Sequence, residues 1–401
     1  MAKLKVVVLT HTMPRFAGDS AAAFMTGLGN GLVEAGLDVT FLAPYHAKFQ
    51  KNSEQHFPTR TYHYFPIRSL EVFGYSGSLE GDMNIKPLQM LLAPFVIIFG
   101  SLALIRLVKQ EKIDVVSAHW LVPNGVIAAM AKWATHMASL VSTHVSLPGS
   151  DVFLAQRNPI VRPFAVWAAR HTDLITSNSP QLGKDLQALG VNKTIVPVVY
   201  GVDPNAFPPL NHSKAQPLKS LVVLGVGRLV PKKGFHLLLE AFAKVNKQFP
   251  SARLVLVGDG SERGNLETQA RALGIADRVI FAGTASPAEL KKYYQKADIF
   301  VLPSIRDNSG NLDDQSVAVM EAMATGLPVI TTDFPGYRLT IAHGKTGYLF
   351  TEGDVVALTR YLKRLLADAK LRTKIGTAAR KSVEQHFSWL AIGQQYRRLF
   401  K

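Results

Sequence analysis

The sequence predicts an α/β protein made of two doubly wound domains. Length, the alternation of strands with helices, and a lapse near the middle carry this reading. At 401 residues with 47% hydrophobic content, the chain is better accommodated as two cores of about 200 residues than as one. Short β-branched runs alternate with longer helical stretches. Those runs are apolar without a polar alternation, which marks strands covered on both faces of a parallel sheet. Periodic structure then lapses over residues 201–220, GVDPNAFPPLNHSKAQPLKS, a stretch rich in Pro and Asn that separates the two halves.

The strands of the first half read as KVVVLT, DVTFLAP, DVVSAH, DLITSNS and IVPVVYG, separated by helical stretches such as AAFMTGLGNGLVEAG. The second half repeats the theme with LVVLGVGR, ARLVLVGDG, RVIFAG, DIFVLPS and PVITTD. Such alternation builds parallel sheets with helices on both faces. The boundaries follow as 1–205 for the first domain, 206–218 for a linker and 219–385 for the second domain. Two such domains facing each other form a central cleft at the carboxyl ends of their strands, where open α/β sheets bind ligands. Local grammar fixes two helices. SPAEL puts Ser286 at an N-cap, Pro287 at the first helical position and Glu289 three residues after the cap, a capping box. ATGLP closes a helix over 317–325, with Gly326 past its end and Pro328 two residues further.

The formal charge is +16, with +5 on residues 1–200 and +11 on residues 201–401. A balance this basic implies an anionic partner, either a phosphorylated substrate or a membrane surface. Nucleic acid is disfavoured, since no Lys/Arg block with interleaved aromatics and no zinc-finger or basic-zipper pattern occurs. Zero cysteines leave no disulfide staple and no thiolate metal site. The opening MAKLKVVVLT runs into a strand rather than a signal-peptide pattern, so a cytoplasmic location is expected. One segment complicates this: LQMLLAPFVIIFGSLALIRLV, residues 88–108, approaches the length of a membrane span. Pro94, Gly100, Ser101 and Arg106 interrupt it. It reads either as a buried helix or as one lying on a membrane, with Lys86, Arg106, Lys109 and Lys112 facing head groups, peripheral at the inner face.

Candidate site residues gather at strand ends. In GVGRLVPKKGF, Arg228 follows a strand and Lys233 precedes Gly234. A guanidinium fork and a mobile ammonium could together neutralise a diphosphate, although an ordinary basic turn has the same composition. VGDGSERG carries glycines at 258, 260 and 264, one residue too far apart for a dinucleotide fingerprint, so Gly258 and Gly260 read as a tight turn after a strand, with Asp259 exposed. GNLDDQSVAVMEAMATG places a wet acidic loop against a short apolar helix. Ser316 is expected to cap that helix, whose free amides from Val317 onward would hold a phosphate. Glu321, about one turn in, is either an acceptor for sugar hydroxyls or a solvent-facing side chain. His119 ends a strand and points to the same cleft, as a ligand contact or as a structural histidine. His144 in STHVSLPGSD is equally open.

Taken together these stretches resemble one family, the retaining glycosyltransferases of the GT-B fold, group 1 or GT4-like, which use nucleotide sugars. The resemblance covers nearly the whole chain and rests on PRFAGDSAA, DVVSAHW, GSDVFLA, YGVDPNAF, GVGRLVPKKG, LVGDG, ADIFVLPS, EAMATGLPV and GKTGYLF. The closing FSWLAIGQQYRRLF is similar to the family's last helix, so residues 386–401 are expected to return to the first domain.

The resemblance implies that Arg228 and Lys233 bind the donor diphosphate and stabilise the leaving nucleotide, and that Glu321 holds the ribose hydroxyls as the second acid of an E-x7-E element. It also implies that Gly18 approaches the phosphates or acceptor by its backbone, and that His119 lies beside the donor sugar. No metal or bound cofactor is implied, only a nucleotide-sugar co-substrate and a lipid-linked, polysaccharide or small-molecule acceptor. The chain departs from the pattern in three places. Asp313 stands where the first acid is Glu, with Gln315 and Ser316 replacing the usual glycine-rich turn. Pro148-Gly149-Ser150-Asp151 replaces H-G-S-D, unless His144 serves through a longer loop. Leu339 occupies a position that is commonly acidic. The alternatives are an epimerase or hydrolase of nucleotide sugars on the same fold, or an inactive membrane-associated binding protein.

Overall fold

Two parallel sheets organise the chain. The first holds seven strands, β1 (Lys5–Leu9), β2 (Asp38–Pro44), β3 (Thr59–Tyr62), β4 (Val115–His119), β5 (Ser142–Leu147), β6 (Leu174–Ser177) and β7 (Ile195–Pro197), in the order β3-β2-β1-β4-β5-β6-β7. The second holds six, β8 (Val222–Val226), β9 (Arg253–Val257), β10 (Val279–Gly283), β11 (Ile299–Leu302), β12 (Val329–Thr332) and β13 (Tyr348–Phe350), in the order β10-β9-β8-β11-β12-β13. Every pairing between these strands is parallel, with Val7 of β1, for example, level with Thr40 and with Val116. The computed structural model describes residues 3–19, 21–50, 52–75, 87–135, 141–209, 221–308 and 310–401. Contacts divide the chain into one unit of Met1–Tyr200 with Trp389–Lys401 and a second of Gly201–Ser388.

The central strands are buried end to end because VVSAH and IFVL are covered by helices on both faces. The strand order reverses between β1 and β4 in the first unit and between β8 and β11 in the second. In open sheets the carboxyl ends of the strands at such a reversal are the position at which ligands are taken. Gly18 and His119 flank the first reversal, and Gly227–Gly234 with residues 303–308 and 310–316 flank the second. Residues 201–209 belong to the second unit. Val202 N–H donates to the Phe387 carbonyl at 2.9 Å, and the Arg380 guanidinium donates to the Phe207 carbonyl at 2.7 Å. The remainder of the expected linker, 210–218, lies outside the described residues, as does Lys86.

The helix Trp389–Leu399 packs in the first unit against the helix Phe24–Glu34, and glycine makes the crossing possible. A Cβ on Gly31 would collide with the Trp389 carbonyl, and one on Gly393 with the Gly31 carbonyl. Arg397 closes the contact by donating to the Ala35 carbonyl at 2.8 Å. The long apolar segment forms one helix, Pro87–Glu111. By length and composition it could cross a membrane, yet Leu92, Val96, Leu104 and Val108 are buried in the first unit's core. One face of the helix is therefore core, and the other is exposed.

Candidate active site

The second unit brings Lys233, Asp313, Ser304 and Ser316 together at its strand reversal. The strand β8 runs out at Val226, and Gly227 (φ 154°) and Gly258 (φ 137°) then turn the two neighbouring loops against each other. A Cβ on Gly258 would drive into the Gly227 carbonyl, so no side chain fits there. The backbone then forms the short turn Pro231–Lys233 and reaches Gly234, in the left-handed region at φ 64° and pressed against the Pro303 carbonyl. Ile305 N–H donates to the Lys232 carbonyl at 2.9 Å, which ties this turn to the loop after β11. Lys233 consequently lies over Gly227 and is buried at its stem.

The Lys233 ammonium reaches the Asp313 carboxylate at 2.8 Å and Ser316 Oγ at 3.4 Å. Asp313 also accepts from Ser304 Oγ at 3.3 Å and Tyr337 OH at 3.4 Å. Burial alone would raise the Asp313 pKa. The charges of Lys233 and Lys232, with hydrogen bonds from Lys233 and Ser304, outweigh it and hold the carboxyl below its ordinary value. Asp313 is therefore ionised and keeps Lys233 aimed. Arg228, half-buried, follows Gly227 on the adjoining loop.

The helix Val317–Thr325 begins at Ser316 and ends on Gly326 in the left-handed region, φ 83°. The expected cap is absent. Ser316 occupies the N-cap position, but its hydroxyl faces Lys233 and makes no side-chain cap bond to the first turn. The amides at Val317 and Ala318 belong to the first turn, which has no acceptor within its own helix, and the Ser316 side chain supplies none. The acidic loop is also not wet: Asp314, Gln315 and Ser316 are buried. Their packing follows from Gly336, which lies so close to the Asp314 carbonyl that a Cβ would collide with it.

Glu321 lies on the same helix but is not brought to Lys233. It accepts a 2.8 Å hydrogen bond from Tyr294 OH, itself fully buried on the helix Pro287–Lys296. Burial pushes the Glu321 carboxyl up to about 7, against the lowering effects of the Tyr294 bond and the Lys291 charge. Glu321 is thus half-buried and near its titration midpoint at neutral pH. The helix holding Tyr294 starts with the expected capping box between Ser286 and Glu289. Asp259 is exposed and pairs with Arg263 at 2.9 Å.

In the first unit Gly18 adopts φ 82° with open space where a Cβ would lie. Its loop is braced by the Arg15–Asp19 pair at 2.6 Å and by Arg15 over the Tyr75 ring. His119 is buried at the end of β4, and burial lowers its pKa to about 3, so it is a neutral imidazole. His144 does not take the place of a loop histidine. It sits within β5, buried, with Ser117 Oγ on Nδ1 and Thr176 Oγ1 on Nε2, each at 2.8 Å, beneath Tyr396 and Phe400. Asp151 is buried and accepts the Leu121 N–H at 2.6 Å, so the GSD stretch orders the backbone after β4. His11 was not singled out from the sequence, yet it ends up beside Trp120, ring centroids 4.6 Å apart, with Asn124 Nδ2 at 3.0 Å from Nδ1. Burial lowers its pKa to about 4. Its position directly after β1 was the only available signal.

The family patterns match along both units: "Glycosyl transferase 4-like domain" over residues 21–201 and "Glycosyl transferases group 1" over residues 209–382. The chain belongs to the group 1 glycosyltransferases. Among its relatives in this family is the lipopolysaccharide core biosynthesis glycosyltransferase LpsE of Rhizobium meliloti, 31% identical over 57% of this chain and 64% of that protein. The N-acetyl-alpha-D-glucosaminyl L-malate synthase of Bacillus anthracis is 24% identical over 99% of this chain and 97% of its own. The solved structure of Anabaena HepE, in complex with UDP and glucose, superposes with a TM-score of 0.69 at 19% identity and covers 99% of both chains. At that identity the likeness shows the GT-B fold alone.

Proposed function

We propose that the chain transfers a sugar from a nucleotide-sugar donor to an acceptor hydroxyl with retention of configuration. The observation that carries this reading is the Lys233–Asp313 pair beside the uncapped first turn at Ser316 and Val317. An ionised Asp313 fixes the ammonium, and the first-turn amides add the positive end of a helix dipole, a combination suited to a diphosphate. Membership of a group 1 family, and a fold shared with a structure that holds UDP and glucose, support a nucleotide-sugar donor.

In this mechanism Arg228, Lys233 and the amides at Val317 take the charge that grows as the bond from the sugar's anomeric carbon to the diphosphate oxygen breaks. The acceptor oxygen bonds the same carbon from the same face, and its proton passes to the departing phosphate oxygen. Preorganised charge of this kind is worth several kcal/mol, and it replaces a metal ion in the role of electrophile. Asp313 contacts the sugar and holds Lys233, Glu321 accepts from the ribose hydroxyls and Gly258 keeps the loop close to the nucleotide. In the first unit Gly18 offers backbone contacts to the phosphates or acceptor, and neutral His119 serves a sugar hydroxyl. A lipid-linked or polysaccharide acceptor of cell-envelope synthesis, reached from the cytoplasm, fits relatives such as LpsE.

The test is incubation with a nucleotide sugar and a lipid extract, with the product's anomeric configuration read by NMR in the presence and absence of a chelator. Retention and chelator resistance are expected. Inversion, or loss of transfer to the chelator, would overturn the mechanism, and donor breakdown without any acceptor would indicate a hydrolase.

A further inference from the structure

The helix Pro87–Glu111 is apolar on both faces, and among the described residues only one face is covered. Gln89, Leu92, Val96, Gly100, Leu104 and Val108 are buried. On the opposite face Leu91, Phe95, Ile98 and Leu102 are 66%, 37%, 49% and 57% exposed, and the same line continues into exposed Arg106 and Lys109. Steps of three and four residues keep these six side chains on one stripe about 27 Å long. Seven of the sixteen exposed large hydrophobic side chains among the described residues sit on this one helix. A contiguous apolar surface of this kind calls for a partner. The helix is also fixed in place. Gly100 approaches Ile127 and the Tyr62 hydroxyl so closely that a methyl group would clash, so its inner face is held in the first unit's core rather than available to lipid on all sides.

We propose that this stripe docks the protein on the surface of an anionic bilayer, with the helix lying in the interfacial plane. The apolar side chains enter the boundary of the acyl region while Arg106, Lys109 and exposed Lys112 meet phosphate head groups. The charge pattern favours lipid over a second copy of the chain. The helix sequence carries a single acid, Glu111, which lies 3.4 Å from Arg60, so an identical stripe would offer Arg106 and Lys109 no free carboxylate. A chain of formal charge +16 is drawn to an anionic surface at long range as well. The inference stands on this surface alone and goes beyond the transfer reaction.

The experiment is co-sedimentation of the full chain with vesicles of phosphatidylcholine alone and of phosphatidylcholine with phosphatidylglycerol in equal parts, at low and high salt, with no sugar donor present. Binding to the anionic vesicles, weakened by salt, is expected. Arg106→Gln with Lys109→Gln should weaken binding roughly thirtyfold at low salt, from about a fivefold contribution per basic residue near the surface. Leu91→Ser with Ile98→Ser should weaken it at least about tenfold through lost apolar burial. All four positions are exposed, and an unchanged melting temperature confirms folding. Absence of binding to anionic vesicles would overturn the proposal. So would binding that none of these substitutions changes, or a dimer that the same substitutions dissociate while vesicle binding persists. Arg228→Ala should leave vesicle binding intact, so failure of the transfer mechanism and failure of docking are separable.

Discussion

Replacing Lys233 with alanine removes the ammonium that neutralises Asp313 at 2.8 Å. The two side chains are only 10% and 17% exposed, so solvent screens the loss weakly. Breaking a buried pair costs roughly 3–5 kcal/mol because the remaining charge is left uncompensated. The lower end, about 3 kcal/mol, applies here, since Ser304 and Tyr337 still donate to Asp313 and the carboxyl can take up a proton. For a domain the size of the second unit that corresponds to a fall of about 6–12 °C in melting temperature. The pH dependence has a definite sign. In the wild-type protein the Asp313 pKa is depressed, so the pair's contribution is complete above the ordinary carboxylate range and is lost as pH falls through the lowered value. In the variant burial is opposed only by the Lys232 charge and the remaining hydrogen bonds, the pKa is higher than in the wild type, and acid relieves the penalty. Melting curves followed by circular dichroism should therefore differ most at neutral pH and converge toward acid. Adding Asp313→Asn should recover most of the lost stability while transfer stays down by about a hundredfold or more, the usual consequence of removing a charge-stabilising group. A Lys233→Ala protein that melts within about 1 °C of wild type, with unchanged donor affinity, would refute the reasoning.

Three further outcomes are expected. The Glu321 carboxyl, pushed up to about 7, must be ionised to accept from ribose, so donor affinity should rise as pH increases through about 7 while that side chain's contribution to stability is lost over the same rise. Calorimetric titration should show this slope in the wild type and a flat, roughly tenfold weaker response in Glu321→Gln; a flat wild-type response would remove Glu321 from the site. Gly258→Ala should cost at least about 2 kcal/mol, because its φ of 137° and the Gly227 carbonyl both exclude a Cβ. Gly264→Ala, which meets open space, should be neutral or mildly stabilising, and equal melting of the two variants would contradict the loop geometry. His11, His119 and His144 have folded pKa values lowered by burial, so their contribution is present above about 6.5 and is lost as pH falls below it, each by about 1.4 kcal/mol per pH unit. Tryptophan fluorescence reads this directly, since Trp120, Trp133, Trp167 and Trp389 all lie in the first unit. A midpoint unchanged between pH 6.5 and 5 would count against it.

The alternation of apolar runs and helices was enough to specify parallel sheets, because strands such as KVVVL and IFVL are covered on both faces and have no polar period to confuse with anything else. Three strands escaped that signal. TRTY of β3 is an edge strand with Arg60 and Thr61 exposed, STHVSL of β5 carries His144 among hydroxyl side chains, and YLF of β13 has only three residues. The helix Val317–Thr325 was legible to the residue from its glycine stop, but the direction of the Ser316 hydroxyl was not. That direction depends on Lys233, 83 positions away, and local grammar sees only the four residues around a cap. His144 was ambiguous for the same reason: its two partners, Ser117 and Thr176, come from neighbouring strands, and only the sheet order brings them to its ring nitrogens. The acids at 313 and 314 looked solvated because nothing in sequence predicts the approach of Gly336 that buries this loop.

The central claim is that a nucleotide diphosphate is held by Arg228, Lys233 and the amides that open the helix Val317–Thr325. Melting temperatures of the wild type and of Arg228→Ala, measured across UDP-, GDP- and ADP-sugars, test it most directly. One nucleotide class should stabilise the wild type, by about 2.7 kcal/mol at a hundredfold excess over its Kd, and the shift should vanish in Arg228→Ala. No shift with any nucleotide sugar, or an equal shift in both proteins, would contradict the account.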